Sequence, residues 1–171
     1  MRRYVFGIDP GTGSSSPAAV AFYDTQEKIV LWSDDVWPLG HKVKTKMPNH
    51  HRIGMIRKRI KDLWDDAESQ YGTDNMGVAM ENFVMKGIGG ATLQMFRGAI
   101  LTIFPYTVPC VEVHNTSMKK LVGGTGKADK IKIGLALMCK IRNNEAMIQE
   151  LLDLKLYDQI DAIGIAYAAK F

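Results

Sequence analysis

Cysteine is scarce in this chain: its 171 residues hold two, Cys110 and Cys139, with no paired spacing. That argues against a disulfide framework or a zinc ribbon, and makes a reducing, intracellular (cytoplasmic) compartment the expectation. No internal repeat or low-complexity tract interrupts the sequence. No apolar run approaches the ~20 residues that a membrane-spanning helix needs. The start, MRRYVFGIDPGTG, is basic but lacks a long apolar region and a cleavage site, so it reads as a strand and not as a signal peptide. Asn115-Thr116-Ser117 matches a glycosylation acceptor, which carries no meaning in a chain that is not secreted.

What is present suits one compact unit. Apolar residues make up 46% of the chain, enough to bury a core, and residues 1–171 are expected to form a single domain. The net charge of +4 and the isoelectric point near 9.0 suit an anionic partner without defining one.

Tyr4 to Asp9 reads as a buried strand ending in a Gly-rich turn, and Pro17 to Tyr23 and Lys28 to Trp37 as two more strands. Such tight joins suggest an antiparallel meander. Asn49 is a candidate cap for a helix running to Tyr71 and ending at Gly72, with a stripe of Ile53, Ile56, Ile60, Leu63, Trp64 and Ala67 at helical spacing. A strand over Met76 to Met80 ends at Glu81, Ala91 to Phe104 reads as a helix, and Val108 to Val113 as a fifth strand. Thr116 is expected to cap a short helix through Leu121. Lys127 to Ile141 and Leu154 to Ala169 are further helices, with Leu154, Ile160, Ile163, Ile165 and Tyr167 packing. This order predicts an α/β layer fold with helices over a mixed sheet, and ligand sites at strand ends.

Acidic residues stand at those ends. Asp9 closes the first strand and Glu81 the fourth, while Asp158 and Asp161 lie three apart and so share a helix face. Converging carboxylates repel one another and take up protons unless a cation neutralises them. Carboxylates without His or Cys favour Mg²⁺ or Mn²⁺ over zinc. Two such ions, about 3.5–4 Å apart, can clamp the attacking and leaving oxygens of a phosphodiester. Each acid has a plainer reading as well. Asp before Pro-Gly is a common turn residue, and acids in a first helical turn are favoured by the helix dipole. An acid after a buried strand, as at Glu81, is harder to explain structurally.

The same residues carry a resemblance. Gly7-Ile8-Asp9-Pro10-Gly11, Ala79-Met80-Glu81-Asn82-Phe83, Arg97-Gly98-Ala99, Met118-Lys119-Lys120, Gly124 through Lys130, and Asp158-Gln159-Ile160-Asp161-Ala162 stand in an order that resembles the RuvC-type Holliday junction resolvases, with a divergence like that of phage-type members. The resemblance implies a ribonuclease H-like fold with a five-stranded mixed sheet flanked by helices. It implies a homodimer, Mg²⁺ (with Mn²⁺ able to substitute), two ions per site and cleavage of four-way junctions. By the same matching, Asp9, Glu81, Asp158 and Asp161 would be metal ligands, and Lys119 and Lys130 would lie near the scissile phosphate. The family often carries an aromatic wedge after its second acid, a place taken here by Phe83 or Val84.

Lys42, Lys44, Lys46 and Arg52, with His41, His50 and His51, form a basic stretch that Arg57, Lys58, Arg59 and Lys61 continue. They suit phosphate contacts, alongside Phe83, Lys119 and Lys127, and equally suit a solvated helix face opposite the apolar stripe. The histidines lack any zinc spacing. Gly123-Gly124-Thr125-Gly126-Lys127 fails the phosphate-loop pattern, because Leu121 stands where the first glycine belongs and Ala128 follows the lysine. The leading expectation is therefore an endonuclease for branched DNA. Its rivals are an ATPase of the actin or sugar-kinase type, which needs a second lobe and phosphate loop, and a junction-binding protein without cleavage.

Overall fold

The computed structural model describes residues 2–11, 16–39, 47–82 and 88–171. Lys42, Lys44, Lys46 and Phe83, and with it the wedge alternative Val84, lie outside those residues. Strands β1 (Tyr4–Asp9), β2 (Ala18–Asp24), β3 (Ile29–Val36), β4 (Met76–Asn82) and β5 (Cys110–His114) form one sheet in the order β3-β2-β1-β4-β5. β1 pairs antiparallel with β2 and β2 with β3, while β4 runs parallel to both β1 and β5. The sheet is thus mixed, as expected, with β1 at its centre.

Alternation along β1 decides what lies on each face. Phe6 and Ile8 face helices α1 (Asn49–Tyr71) and α2 (Ile88–Leu101) in one core, with Trp64 of α1 edge-on to Phe6 at 5.7 Å. Val5 faces the other core, shared with α3 (Asn115–Gly123), α4 (Lys130–Lys140), α5 (Glu145–Asp153) and α6 (Tyr157–Ala168). Gly7 lies on that second face too. A Cβ there would sit 2.5 Å from the Ala162 carbonyl oxygen and 2.7 Å from the Ala166 Cβ. Small residues therefore let α6 lie directly on the sheet, beside Ala19, Ala21 and Ala79.

α1 keeps its expected bounds, and Ile56, Ile60, Trp64 and Ala67 are its buried stripe, with Ile53 and Leu63 partly buried against the same core. Several expectations need correction. Asn49 is the first helical residue and the cap position is Pro48, without a side-chain cap. The third helix begins at Asn115, not after a Thr116 cap. α2 runs Ile88–Leu101, since Pro105 forces extended backbone before it and the last turn loosens. α5 has no counterpart in the sequence reading. Leu154 falls outside α6 and is 59% exposed, so it does not pack there.

Candidate functional site

β1 and β4 are parallel neighbours, with Ile8 opposite Met80, so Asp9 and Glu81 end their strands side by side. Pleating puts both on the α6 face, because Val5 and Ala79 share it. The first turns of α6 then bring Asp158 and Asp161 over the strand ends. Carboxylate oxygens of Asp9, Asp158 and Asp161 lie within 4.8 Å of one another. Glu81 adjoins that trio through Asp9, and Asn115, at the start of α3, donates from Nδ2 to Glu81 Oε1 at 2.6 Å. Lys130, the first residue of α4, contacts Asp158 Oδ1 at 3.1 Å and Asp161 Oδ2 at 2.7 Å. Its position is set by the Asp129 cap, which accepts from the Lys132 amide at 2.8 Å.

Electrostatics follow from the burial of like charges. Glu81 is 6% and Asp161 4% exposed. Burial, then the charge and hydrogen bond of Glu81, then Asp161 and Asp158, push the Asp9 carboxyl well above the usual carboxylate range. Burial raises Glu81 as well, against the hydrogen bonds of Asn115 and Asp9. Burial also raises Asp161, although Lys130 and then Lys119 pull it down. For Lys130, burial works downwards and is outweighed by Asp161 and Asp158, leaving it raised.

These residues fit a divalent cation. The cluster consists of carboxylates alone, the donor set of hard cations. Asp161 Oδ1 is buried with no hydrogen-bond partner among the described residues, although buried polar atoms are generally satisfied. A cation between the carboxylates would satisfy that oxygen and remove the repulsion that raises Asp9.

Of the other residues singled out from the sequence, Lys119 lies close enough to lower Asp161 electrostatically. Lys127 is exposed in the turn between α3 and α4. Arg52 sits in the first turn of α1 and is bonded to Asn49. Lys58 and Lys61 pair along α1 with Asp62 and Asp65, at 2.7 and 2.5 Å, as on a solvated helix face. Arg57 reaches from α1 to the Ala99 carbonyl of α2 at 3.2 Å.

Three residues beside the cluster went unread in the sequence. Asn115 was masked by its match to a glycosylation triplet, and its signal is its place as the first residue after β5. Gln159, between the two acids of α6, is buried and accepts from Ser33 Oγ at 2.7 Å. Asp35 on β3 is pushed up to about 6 by burial and then by Asp158 and Asp34, against a hydrogen bond from Gln159. The run Ser33-Asp34-Asp35 in an otherwise apolar strand was the available signal.

A five-stranded mixed sheet with antiparallel β1, β2 and β3, parallel β4 and β5, and flanking helices is a ribonuclease H-like fold. Within that class the chain has a RuvC-like fold. The structure of Thermus thermophilus RuvC in complex with Holliday junction substrate superposes with a TM-score of 0.66 at 20% identity, covering 97% of this chain and 92% of that one. The Thermus thermophilus RuvC structure likewise gives 0.66 at 19% identity, covering 96% and 92%. No protein-family model and no curated protein sequence matches the chain.

Proposed function

We propose that this protein, as one nuclease unit over residues 1–171, is a divalent-metal-dependent endodeoxyribonuclease that resolves Holliday junctions or other branched DNA. The observation that carries the reading is the carboxylate cluster of Asp9, Asp158 and Asp161 at the strand ends of a RuvC-like fold, with Asp161 Oδ1 buried and without a partner among the described residues. One of the structures sharing that fold is described as a complex with Holliday junction substrate.

Asp9, Glu81, Asp158 and Asp161 would hold Mg²⁺, or Mn²⁺ in its place, with two ions as the expected number. Bound there, the metal supplies Lewis-acid polarisation of a phosphodiester and activation of water. Asn115 orients Glu81 through Oε1. Lys130 keeps a fixed positive charge between Asp158 and Asp161, where it offsets charge developing on a phosphate, and Lys119 adds to the same field. Lys42, Lys44, Lys46, Arg52 and Lys127 are proposed phosphate contacts, and Phe83 a stacking contact at the branch. Matched cuts in two strands of a junction call for two such sites, so a two-fold homodimer is the proposed active unit. The proposed action on branched DNA supports an intracellular location.

The test uses purified protein with a four-way junction, a three-way junction and linear duplex, each with and without Mg²⁺. The expected result is cutting of branched substrates that depends on Mg²⁺ or Mn²⁺ and stops in EDTA. Undiminished cutting in EDTA, or no preference for branches, would refute the reading.

A further inference from the structure

The two edges of the sheet are finished differently. An open edge offers unpaired N–H and C=O groups to any extended chain, and proteins commonly blunt it with inward-pointing charge, bulges or proline. β3 is blunted in this way. Ser33 and Asp35 face α6, Ser33 is tied to Gln159, and its register with β2 shifts between Phe22 and Tyr23. β5, at the other edge, reads Cys-Val-Glu-Val-His, with neither proline nor lysine within it. Among the described residues it pairs with β4 alone.

The direction of its free groups follows from the ladder. The Val78 N–H donates to the Pro109 carbonyl at 2.9 Å. In a parallel pair, alternate residues face the same neighbour. Val111 and Val113 therefore bond towards β4, and Cys110, Glu112 and His114 present their backbone N–H and C=O outwards. Beside this edge runs a groove of about 550 Å³ between β5, α3 and the end of α6. Val111, Met118, Leu121 and Ala168 supply its apolar surface, with Leu121 46% exposed. Lys120, Lys170 and His114 stand along it, and its one carboxylate, Glu112, is paired with Arg97 of α2.

We propose that the outer edge of β5 takes up an extended peptide from a partner protein, as an added strand, in which the every-second residues that face the groove are acidic and apolar in turn. Strand addition supplies main-chain hydrogen bonds, and alternate side chains enter the flanking groove. Lys120 and Lys170, which form no ion pair among the described residues, fit the peptide's acidic side chains, and Val111 and Leu121 fit the apolar ones. Nucleic acid suits this edge less well. A sheet edge exposes acceptors as often as donors, and a phosphate backbone has no N–H to offer the carbonyls. The proposal does not depend on the nuclease reading, because no proposed metal ligand lines the groove.

The experiment is fluorescence anisotropy of the full chain with labelled synthetic peptides of the repeat Thr-Val-Thr-Glu, which sets Val and Glu in turn on one face of the strand. Saturable binding is expected, in roughly the micromolar range given so small an interface. A peptide with Lys in place of Glu should bind at least about tenfold more weakly, as should one with alternate backbone nitrogens methylated, which keeps side chains but loses donors. Lys170→Glu and Leu121→Asp should each weaken binding by a similar factor, with circular dichroism showing an intact fold. If Leu121→Asp fails to fold, Lys170→Glu and the methylated peptide still decide. The proposal is overturned by the absence of binding or by equal binding of the methylated peptide. It is also overturned if Lys170→Glu impairs junction affinity and leaves peptide affinity unchanged, since the groove would then serve DNA.

Discussion

Lys130 lies 3.1 Å from Asp158 and 2.7 Å from Asp161, so in protein stripped of divalent ions its ammonium is the cluster's counter-charge. Asp161→Asn removes one charged group of the proposed ligand set and keeps the shape. Cleavage should fall by several orders of magnitude in a single-turnover assay, while junction affinity in a gel shift persists or rises, because repulsion towards phosphate drops. Wild-type cleavage by that variant would remove Asp161 from the site. Asp35 permits a prediction with a defined pH window. Its carboxyl rises from the ordinary 3.8 to about 6 in the folded chain, so the native state holds that proton more tightly than the unfolded state. Stability from this residue is then present below the unfolded value and is lost as pH climbs through the folded one. Thermal melts of Asp35→Asn against wild type should differ by a constant amount below pH ~4, move in the variant's favour up to pH ~6, and level off above. A difference independent of pH would show that Asp35 titrates normally. The four proposed metal ligands were visible in the sequence because each follows a strand or opens a helix. Asn115, Gln159 and Asp35 were not, because each matters through a partner far along the chain: Glu81, Ser33 and Asp158.

The boundaries of the secondary-structure elements show where sequence signals ran out. Gly72, with φ of 74°, ends α1 where the sequence announced it. Gly124, with φ of 76°, does the same after α3, and the other left-handed positions among the described residues are Lys28, Asn143 and Lys155, at φ of 58°, 54° and 56°. Lysine is not a punctuating residue, so the break between α5 and α6 carries no glycine or proline to mark it. That hid α5, although Ile148 and Leu151 are spaced for a buried helical face. Gly164, in contrast, lies inside α6, where a Cβ would come within 2.8 Å of the Met118 sulfur. Gly7 does the corresponding work on β1. Gly7→Ala would drive a methyl into backbone of α6, and overpacking of that kind destabilises by about 1–3 kcal/mol. Because α6 carries Asp158 and Asp161, the same change should lower cleavage beyond what the loss of folded protein explains. Chemical denaturation and single-turnover cleavage on the folded fraction measure the two effects separately.

Across the whole molecule, the proposed homodimer needs a surface. Leu93, Phe96, Ile100 and Leu101 recur at helical spacing along α2 and form its apolar face. Phe96 and Ile100 are 0% and 1% exposed within the chain's own core, and Leu101 is partly buried against it, so that face is already used. The outward face of α2 carries Ala91, Gly98 and Met95, the last 58% exposed. Met95→Glu is expected to shift sedimentation from dimer to monomer and to convert linearisation of a cruciform plasmid into separate nicks. A wild-type chain that sediments as a strict monomer at high concentration and only nicks would favour a general debranching nuclease.

Every residue of α6 from Gln159 to Ala166 is buried between the sheet and α3, α4 and α5. A helix so enclosed has no local route to solvent, since opening it means parting one of the two cores from the sheet. Its amide hydrogens should therefore exchange with deuterium only through global unfolding, at the slowest rates in the molecule. Asp161 rides on that slow-exchanging segment. Thermal softening would then reach the surface helix α1 and the chain ends well before it disturbs the carboxylates, and binding of a divalent ion should slow exchange in α6 only as far as it stabilises the entire fold.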